Sequence, residues 1–161
     1  MKMIEEVRKS ERTDELIEEL ASLWRRSVTA SHRFLRSCDI DSIEPEARCG
    51  IREVETLYVA RTDTGAAAGF AGVQDKSLEM LFVDAVLRGS GCGSALIDRA
   101  NEDAEIEFVD VNEDNPRALE FYCKKGFRVE SRSAQDSSGR PYPVLHMRRK
   151  LQHGVTCESL A

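Results

Sequence analysis

The chain has no long apolar run and no surplus of basic charge. Nowhere do the roughly 18 consecutive apolar residues of a membrane span occur. The opening "MKMIEEVRKSERTDEL" turns acidic where a secretory signal needs an apolar stretch, so a cytoplasmic protein with no membrane partner is expected. With 23 lysines and arginines against 29 acidic residues and a net charge of −6, no basic face is available to neutralise phosphates, which excludes a general nucleic-acid binder. The five cysteines, at 38, 49, 92, 123 and 157, are odd in number and never stand as C-x-x-C. Neither a disulfide framework nor a zinc site is indicated, and no metal is expected.

What is present suits one soluble domain. The 161 residues, 41% hydrophobic and 32% charged, can bury a core without staples. Residues 1–150 are expected to form that domain, and the tail 151–161, "LQHGVTCESLA", has no strong period and is compatible with disorder. "KMIEEVRKS" offers a first strand, and Thr13 or Asp14 can cap a helix in which Leu16, Ile17, Leu20, Leu23 and Trp24 recur at helical spacing to about Ala30. The stretch "SHRFLRSCDIDSIEPEARCGIREVE" reads as short helical or irregular pieces, with Pro45 acceptable only near a helix start and Gly50 a break. "TLYVAR", "AAAGFAGVQ" and "LEMLFV" then read as three strands, the first two joined by "TDTG". A helix from Gly91 to about Asn101, the strand "IEFVDV", a helix over 116–125 and the strands "FRVESR" and "VLHMRR" complete the order. The last helix is marked at both ends, by Asn115-Pro116 and by Gly126. This mixture implies one mixed α+β sheet covered by helices.

The most informative stretch is "VDAVLRGSGCGSAL", Val83 to Leu96. A strand ending in a glycine-rich turn that opens a helix offers free N–H groups at the positive end of a helix dipole, a ready anion site. The lysine of the G-K-[ST] nucleotide loop is missing, since Gly93 is followed by Ser94 and Ala95, and the glycines at 89, 91 and 93 do not fit G-x-G-x-x-G.

What remains is Arg88-x-x-Gly91-x-Gly93, which resembles the pyrophosphate-binding motif R/Q-x-x-G-x-G/A of the GNAT superfamily of acyl-CoA-dependent N-acyltransferases. Downstream, "NEDNPRALEFYCKKGF" resembles that family's N-x-x-A-x-x-F-Y-x-x-x-G-F, with Asn115, Ala118, Phe121, Tyr122, Gly126 and Phe127 matching. "LASLWRRSVTASHRFL" and "GRPYPVLHM" are similar to segments of a bacterial subgroup, the YjaB-like acetyltransferases. The resemblance implies a central, mostly antiparallel sheet of about seven strands flanked by helices, splayed between the fourth and fifth strands. It also implies an acetyl-CoA-dependent N-acetyltransferase acting directly on an amine acceptor, as a monomer or homodimer. The alternative is a non-catalytic CoA-binding sensor of the same fold.

By the same resemblance the donor's pyrophosphate lies over Arg88, Gly89, Ser90, Gly91, Cys92, Gly93 and Ser94, and Phe82 and Val83 offer backbone groups to its pantetheine arm. All three glycines are read as letting the backbone approach the phosphates. Tyr122 takes the role of general acid toward the departing thiolate, and Asn115 both caps its helix and touches the donor. Strand alternation puts Ser77, Glu79, Leu81 and Val83 on one face, making Glu79 a candidate base beside the alternative of a solvated carboxylate. His32, expected to titrate near neutral pH, is a candidate base or pocket residue. Trp24 and Tyr142 can stack on an acceptor, with core packing the competing reading for Trp24, and neither His146 nor His153 is given a role.

Overall fold

A computed structural model of the chain describes residues 3–150; the tail expected at 151–161 lies outside the described residues. The element order is β1 (Met3–Glu6), α1 (Asp14–Ser31), α2 (Ser37–Glu53), β2 (Thr56–Arg61), β3 (Ala67–Gln74), β4 (Ser77–Val83), α3 (Cys92–Ala104), β5 (Phe108–Asn112), α4 (Pro116–Lys124), β6 (Phe127–Ser133) and β7 (Val144–Arg149). The seven strands form one sheet in the order β1-β2-β3-β4-β5-β7-β6. Every neighbouring pair is antiparallel except β4 and β5, which run parallel. No helix among the described residues is long and apolar enough to cross a membrane.

Each face of the sheet carries its own core. On one, Leu78, Val109, Val111 and Met147 pack with Leu96, Ile97 and Ala100 of α3 and Tyr122 of α4. On the other, Leu57, Val59 and Phe70 pack with Leu16, Ile17, Leu20 and Trp24 of α1 and Ile40 and Ile51 of α2. The apolar stripe of α1 is the helical spacing seen in the sequence, and its start is fixed where the Thr13 hydroxyl accepts a hydrogen bond from Leu16 N–H.

Two expectations fail. Residues 37–53 form one continuous helix rather than short pieces, with Pro45 in its interior and Gly50 inside its last turns. A mid-helix proline costs about 3 kcal/mol relative to alanine, and burial of Ile40 and Ile51 beneath α1 offsets that cost. The second failure is the alternation of β4. Gly72 pairs with Met80 and Val73 with Leu78, so Glu79 is an extra residue in a bulge. Leu78, Leu81 and Val83 therefore share the α3 face, while Met80 and Phe82 turn to α1 and α2. Glu79 opens on that second side and not with Leu81 and Val83 as strict alternation required.

One buried cation ties the α2 end of the molecule together. Arg12, 5% exposed, donates from Nη1 to the carbonyls of Arg52 at 2.9 Å and Val54 at 2.6 Å, and from Nε to that of Val7 at 3.3 Å. It closes the C-terminus of α2, whose last carbonyls have no helical partner, onto the start of α1. Burial lowers its pKa. Arg12→Met is expected to destabilise the fold by about 3 kcal/mol, because several buried acceptors lose their donor at once. Urea unfolding measures this, and an unchanged midpoint would show that those carbonyls find other partners.

Candidate active site

The sheet comes apart in its middle. Only Ser77 with Phe108 and Leu78 with Val109 join β4 to β5, whereas β5 pairs with β7 along its whole length and β4 with β3 to Val83. Beyond Leu78 the facing edges of β4 and β5 diverge into a split. Its closed end is anchored by the carbonyl of Lys76, which accepts from Glu107 N–H at 2.8 Å and Phe108 N–H at 3.2 Å. At its open end the chain leaves β4 through Asp84 and a short 3₁₀ turn (Ala85–Leu87) into the glycine loop and α3.

That loop is clamped to the last turns of α1 by two guanidinium groups. Arg26 donates to Oδ2 of Asp84 at 2.7 and 3.2 Å, holding this mostly buried carboxyl below its ordinary pKa. Arg88 donates to the carbonyl of Ser27 at 2.7 Å. Arg117, near the start of α4, stands close enough that its charge adds to the lowering of the Arg88 pKa by burial. No carboxylate pairs with either cation among the described residues. Two unpaired cations thus meet at the mouth of the split, beside the N-terminus of α3, whose cap residue Gly91 has no side chain to satisfy the first-turn N–H groups. Arg117 was not read from the sequence, because it lies in the second motif and reaches the loop only through the fold.

The three loop glycines differ. Gly89 and Gly91 have φ of +76° and +82°, a left-handed conformation costly to other residues, and a Cβ at either would meet nothing within 4 Å. Gly93 has ordinary helical geometry, where a Cβ would touch Val83 Cγ2 at an unstrained 3.5 Å. The backbone conformation of the turn itself thus requires glycine at two of the three positions, 89 and 91. Cys92 is buried in the α3 core, and the Ser94 hydroxyl accepts from Lys125, which also pairs with Asp98 at 2.9 Å. Ser90 donates its N–H to the Leu87 carbonyl at 3.2 Å.

Tyr122 enters from the α3 and α4 side. It is 7% exposed, edge-on to Phe121 and Phe127 at centroid distances of 5.1 and 5.8 Å, and burial raises its pKa. Its hydroxyl has no hydrogen-bond partner among the described residues. No buried side-chain polar atom there is left unpartnered, so this hydroxyl must reach accessible surface. Asn115 caps α4 by accepting from Ala118 N–H at 3.3 Å.

On the opposite side a cavity of about 410 Å³ lies between α2 and β4, with Trp24, Met80 and Phe82 on its apolar wall and the carboxylates of Glu46, Glu53 and Glu79 around it. Trp24 is core, 4% exposed, with an edge on this cavity. Tyr142 is not free to stack in it. Its ring lies against Phe34 at 5.6 Å and its hydroxyl donates to Asp39 at 2.8 Å. With Arg140, which pairs with Glu46 at 2.9 Å, it straps the β6–β7 loop to α2. His32 caps α1 beside Arg88, and burial, reinforced by that positive charge, pushes its pKa down to about 4 rather than leaving it near neutral.

Two measurements check this geometry. Gly91→Ala should cost about 1 kcal/mol through left-handed strain, whereas Gly93→Ala should stabilise by a few tenths in urea unfolding; equal effects would contradict the assigned conformations. For His32, the unfolded chain takes up a proton near pH 6.5 while the folded protein resists until about pH 4. Stability is therefore lost as pH falls through that window. His32→Gln should flatten the slope there, and a slope unchanged by the substitution would place the titration elsewhere.

Comparison with known proteins follows the same outline. A family model described as the acetyltransferase (GNAT) domain matches residues 33–151. The peptidyl-lysine N-acetyltransferase YjaB of Salmonella typhimurium is 38% identical over 130 residues, 81% of this chain and 89% of that protein. The solution structure of apo-form YjaB from Escherichia coli superposes with a TM-score of 0.79 at 35% identity, over 92% of this chain and 97% of that one. PaiA N-acetyltransferase from Thermoplasma acidophilum, crystallised with coenzyme A, has a TM-score of 0.70 at 19% identity and covers 93% of this chain and 99% of its own. That last likeness is one of fold alone.

Proposed function

This chain belongs to the GNAT family of acetyltransferases, and from that membership we propose that it moves an acetyl group from acetyl-CoA directly to the side-chain amine of a protein lysine. The observation that carries the reading is the split between β4 and β5, with Arg88, Arg117 and the uncapped start of α3 at its mouth. These groups suit a pyrophosphate, and the unpaired edge of β4 at Phe82 and Val83 suits a pantetheine amide. Gly89 and Gly91, with nothing near their Cβ positions, leave that cradle open.

Lysine is favoured as acceptor on two grounds. Relatives 37–38% identical over 130 residues are named for it, and the α2 cavity joins an apolar wall, suited to a methylene stem, with carboxylates suited to an ammonium. Glu46 is paired with Arg140, whereas Glu53 and Glu79 carry no salt bridge among the described residues, and Glu79, on β4 itself, is the one proposed to draw the cation in. Attack of the amine nitrogen on the thioester carbonyl forms the amide and breaks the C–S bond. Tyr122 is proposed to protonate the departing sulfur: its pKa is raised by burial, so it holds its proton, and its hydroxyl has no hydrogen-bond partner to give up among the described residues.

Tyr122→Phe should lower kcat by about 10²-fold while thermal stability and acetyl-CoA affinity by calorimetry stay unchanged. Undiminished turnover would remove Tyr122 as the acid, and absence of acetyl-CoA binding by the unmodified protein would overturn the whole reading.

A further inference from the structure

Two charged side chains are buried among the described residues, Arg12 and Asp84. Arg12 has a structural task, closing the end of α2 on the carbonyls to which it donates. Asp84 has no comparable one. It precedes the 3₁₀ turn Ala85–Leu87, yet its Oδ1 accepts from Val86 N–H only across a long 3.4 Å. A neutral serine or asparagine would cap a three-residue turn as well. Taking a carboxylate out of water is costly, so the charge needs another reason.

Asp84 stands where three segments meet. Its N–H donates to the Ala68 carbonyl at 2.9 Å, adding one rung to the pairing of β4 with β3, and its carbonyl accepts from Leu87 N–H at 2.8 Å, opening the turn that leads to Arg88. Its side chain turns to α1, where Oδ2 accepts from both Nε and Nη2 of Arg26. Four residues on, Arg88 crosses the same seam in the reverse sense and donates from Nη2 to the carbonyl of Ser27. Arg26 and Ser27 are consecutive on α1, so helix and loop each lend the other a guanidinium. The last turn of α1 has no basic residue of its own, and Arg88 supplies the cation that a helix C-terminus favours. This contact occupies one Nη of Arg88; its Nε and other Nη have no partner among the described residues, which leaves most of its N–H groups for a ligand.

We infer that Arg26 and Asp84 are positioning residues for the acyl donor: their pair locks the glycine loop onto α1, so that Arg88 and the first N–H groups of α3 are set for a pyrophosphate before it arrives. A free loop carrying Gly89 and Gly91 would have to be ordered by the ligand, at a cost in affinity. A buried ion pair is a weak stabiliser, since apolar side chains of similar size often serve a fold as well, and what this one adds is a single loop geometry. In the proposed arrangement neither residue meets the thioester, so the pair acts on donor binding and not on turnover. The inference rests on the acetyl-CoA reading of the split.

The test measures acetyl-CoA affinity by calorimetry, KM and kcat with a lysine-containing peptide, and the urea midpoint. Arg26→Met and Asp84→Asn should each weaken acetyl-CoA binding and raise its KM by about tenfold, the loss of one charge-assisted hydrogen bond, with kcat at saturating donor unchanged. Combining Arg26→Met with Asp84→Leu leaves no unpaired buried charge and should restore the urea midpoint while donor affinity stays low. Recovery of affinity together with the midpoint would make the pair merely structural and overturn the inference. Arg26→Lys keeps the charge without the planar fork and should lose donor affinity at an intact midpoint; it decides the question if the double variant does not fold. Arg25→Met, which breaks the pairs of the same helix to Asp41 and Glu44, should leave donor affinity alone, and an equal loss there would overturn the assignment to Arg26. Full donor affinity in both single variants sinks this inference by itself, whereas failure of the unmodified protein to bind acetyl-CoA removes the acetyltransferase reading and this one with it.

Discussion

The molecule depends on where two strands stop pairing. Ser77–Phe108 and Leu78–Val109 are the two strand pairs that join the halves of the sheet among the described residues, and Lys76, held with Asp75 in a left-handed turn, fastens them by accepting from the first two N–H groups of the β5 segment. Had pairing continued toward Val83 and Asn112, the sheet would be closed and both edges satisfied. Because it does not, strand edges remain that need partners. The split is therefore at once the weakest seam of the sheet and, in the function proposed, the place where an extended ligand would complete it.

Everything else holds that seam in shape from its two sides. The α3 and α4 layer brings Tyr122 to it, with Phe121 and Phe127 fixing the ring edge-on. The α1 and α2 layer meets the glycine loop through Arg26–Asp84 and Arg88–Ser27 and the β6–β7 loop through Tyr142–Asp39 and Arg140–Glu46. These contacts join elements distant in sequence, so each stabilises the separation of β4 from β5 rather than any one element. Arg12 does the same at the base of α1 and α2, where a single guanidinium takes the place of a C-terminal cap.

Much of this was legible in the residues. The seven strands, the order of elements and the marked ends of α4 follow from period, turn residues and capping, and the two motifs named the family that the comparisons then confirmed. The misreadings share one cause, in that local propensity was overruled by contacts from elsewhere. Pro45 should have broken a helix, yet Ile40 and Ile51 are buried and keep it whole. Period two along β4 failed at Glu79, because a bulge opposite Gly72 and Val73 is a property of the pairing and not of the strand. His32 looked like a neutral-range titrant until its burial beside Arg88 was seen.

The sequence by itself determined a mixed α+β fold with a glycine-rich strand-to-helix loop, because glycine placement, helix caps and apolar period act over a few residues and are written in order along the chain, and two of its motifs resemble those of the acyltransferase family. Only the tertiary structure decided which residues share the split. Arg117 joins Arg88 at its mouth, and Glu79 turns to the α1 and α2 side, through helix docking and strand register. Those distances are set by pairing between segments tens of residues apart, for which no local pattern is a record.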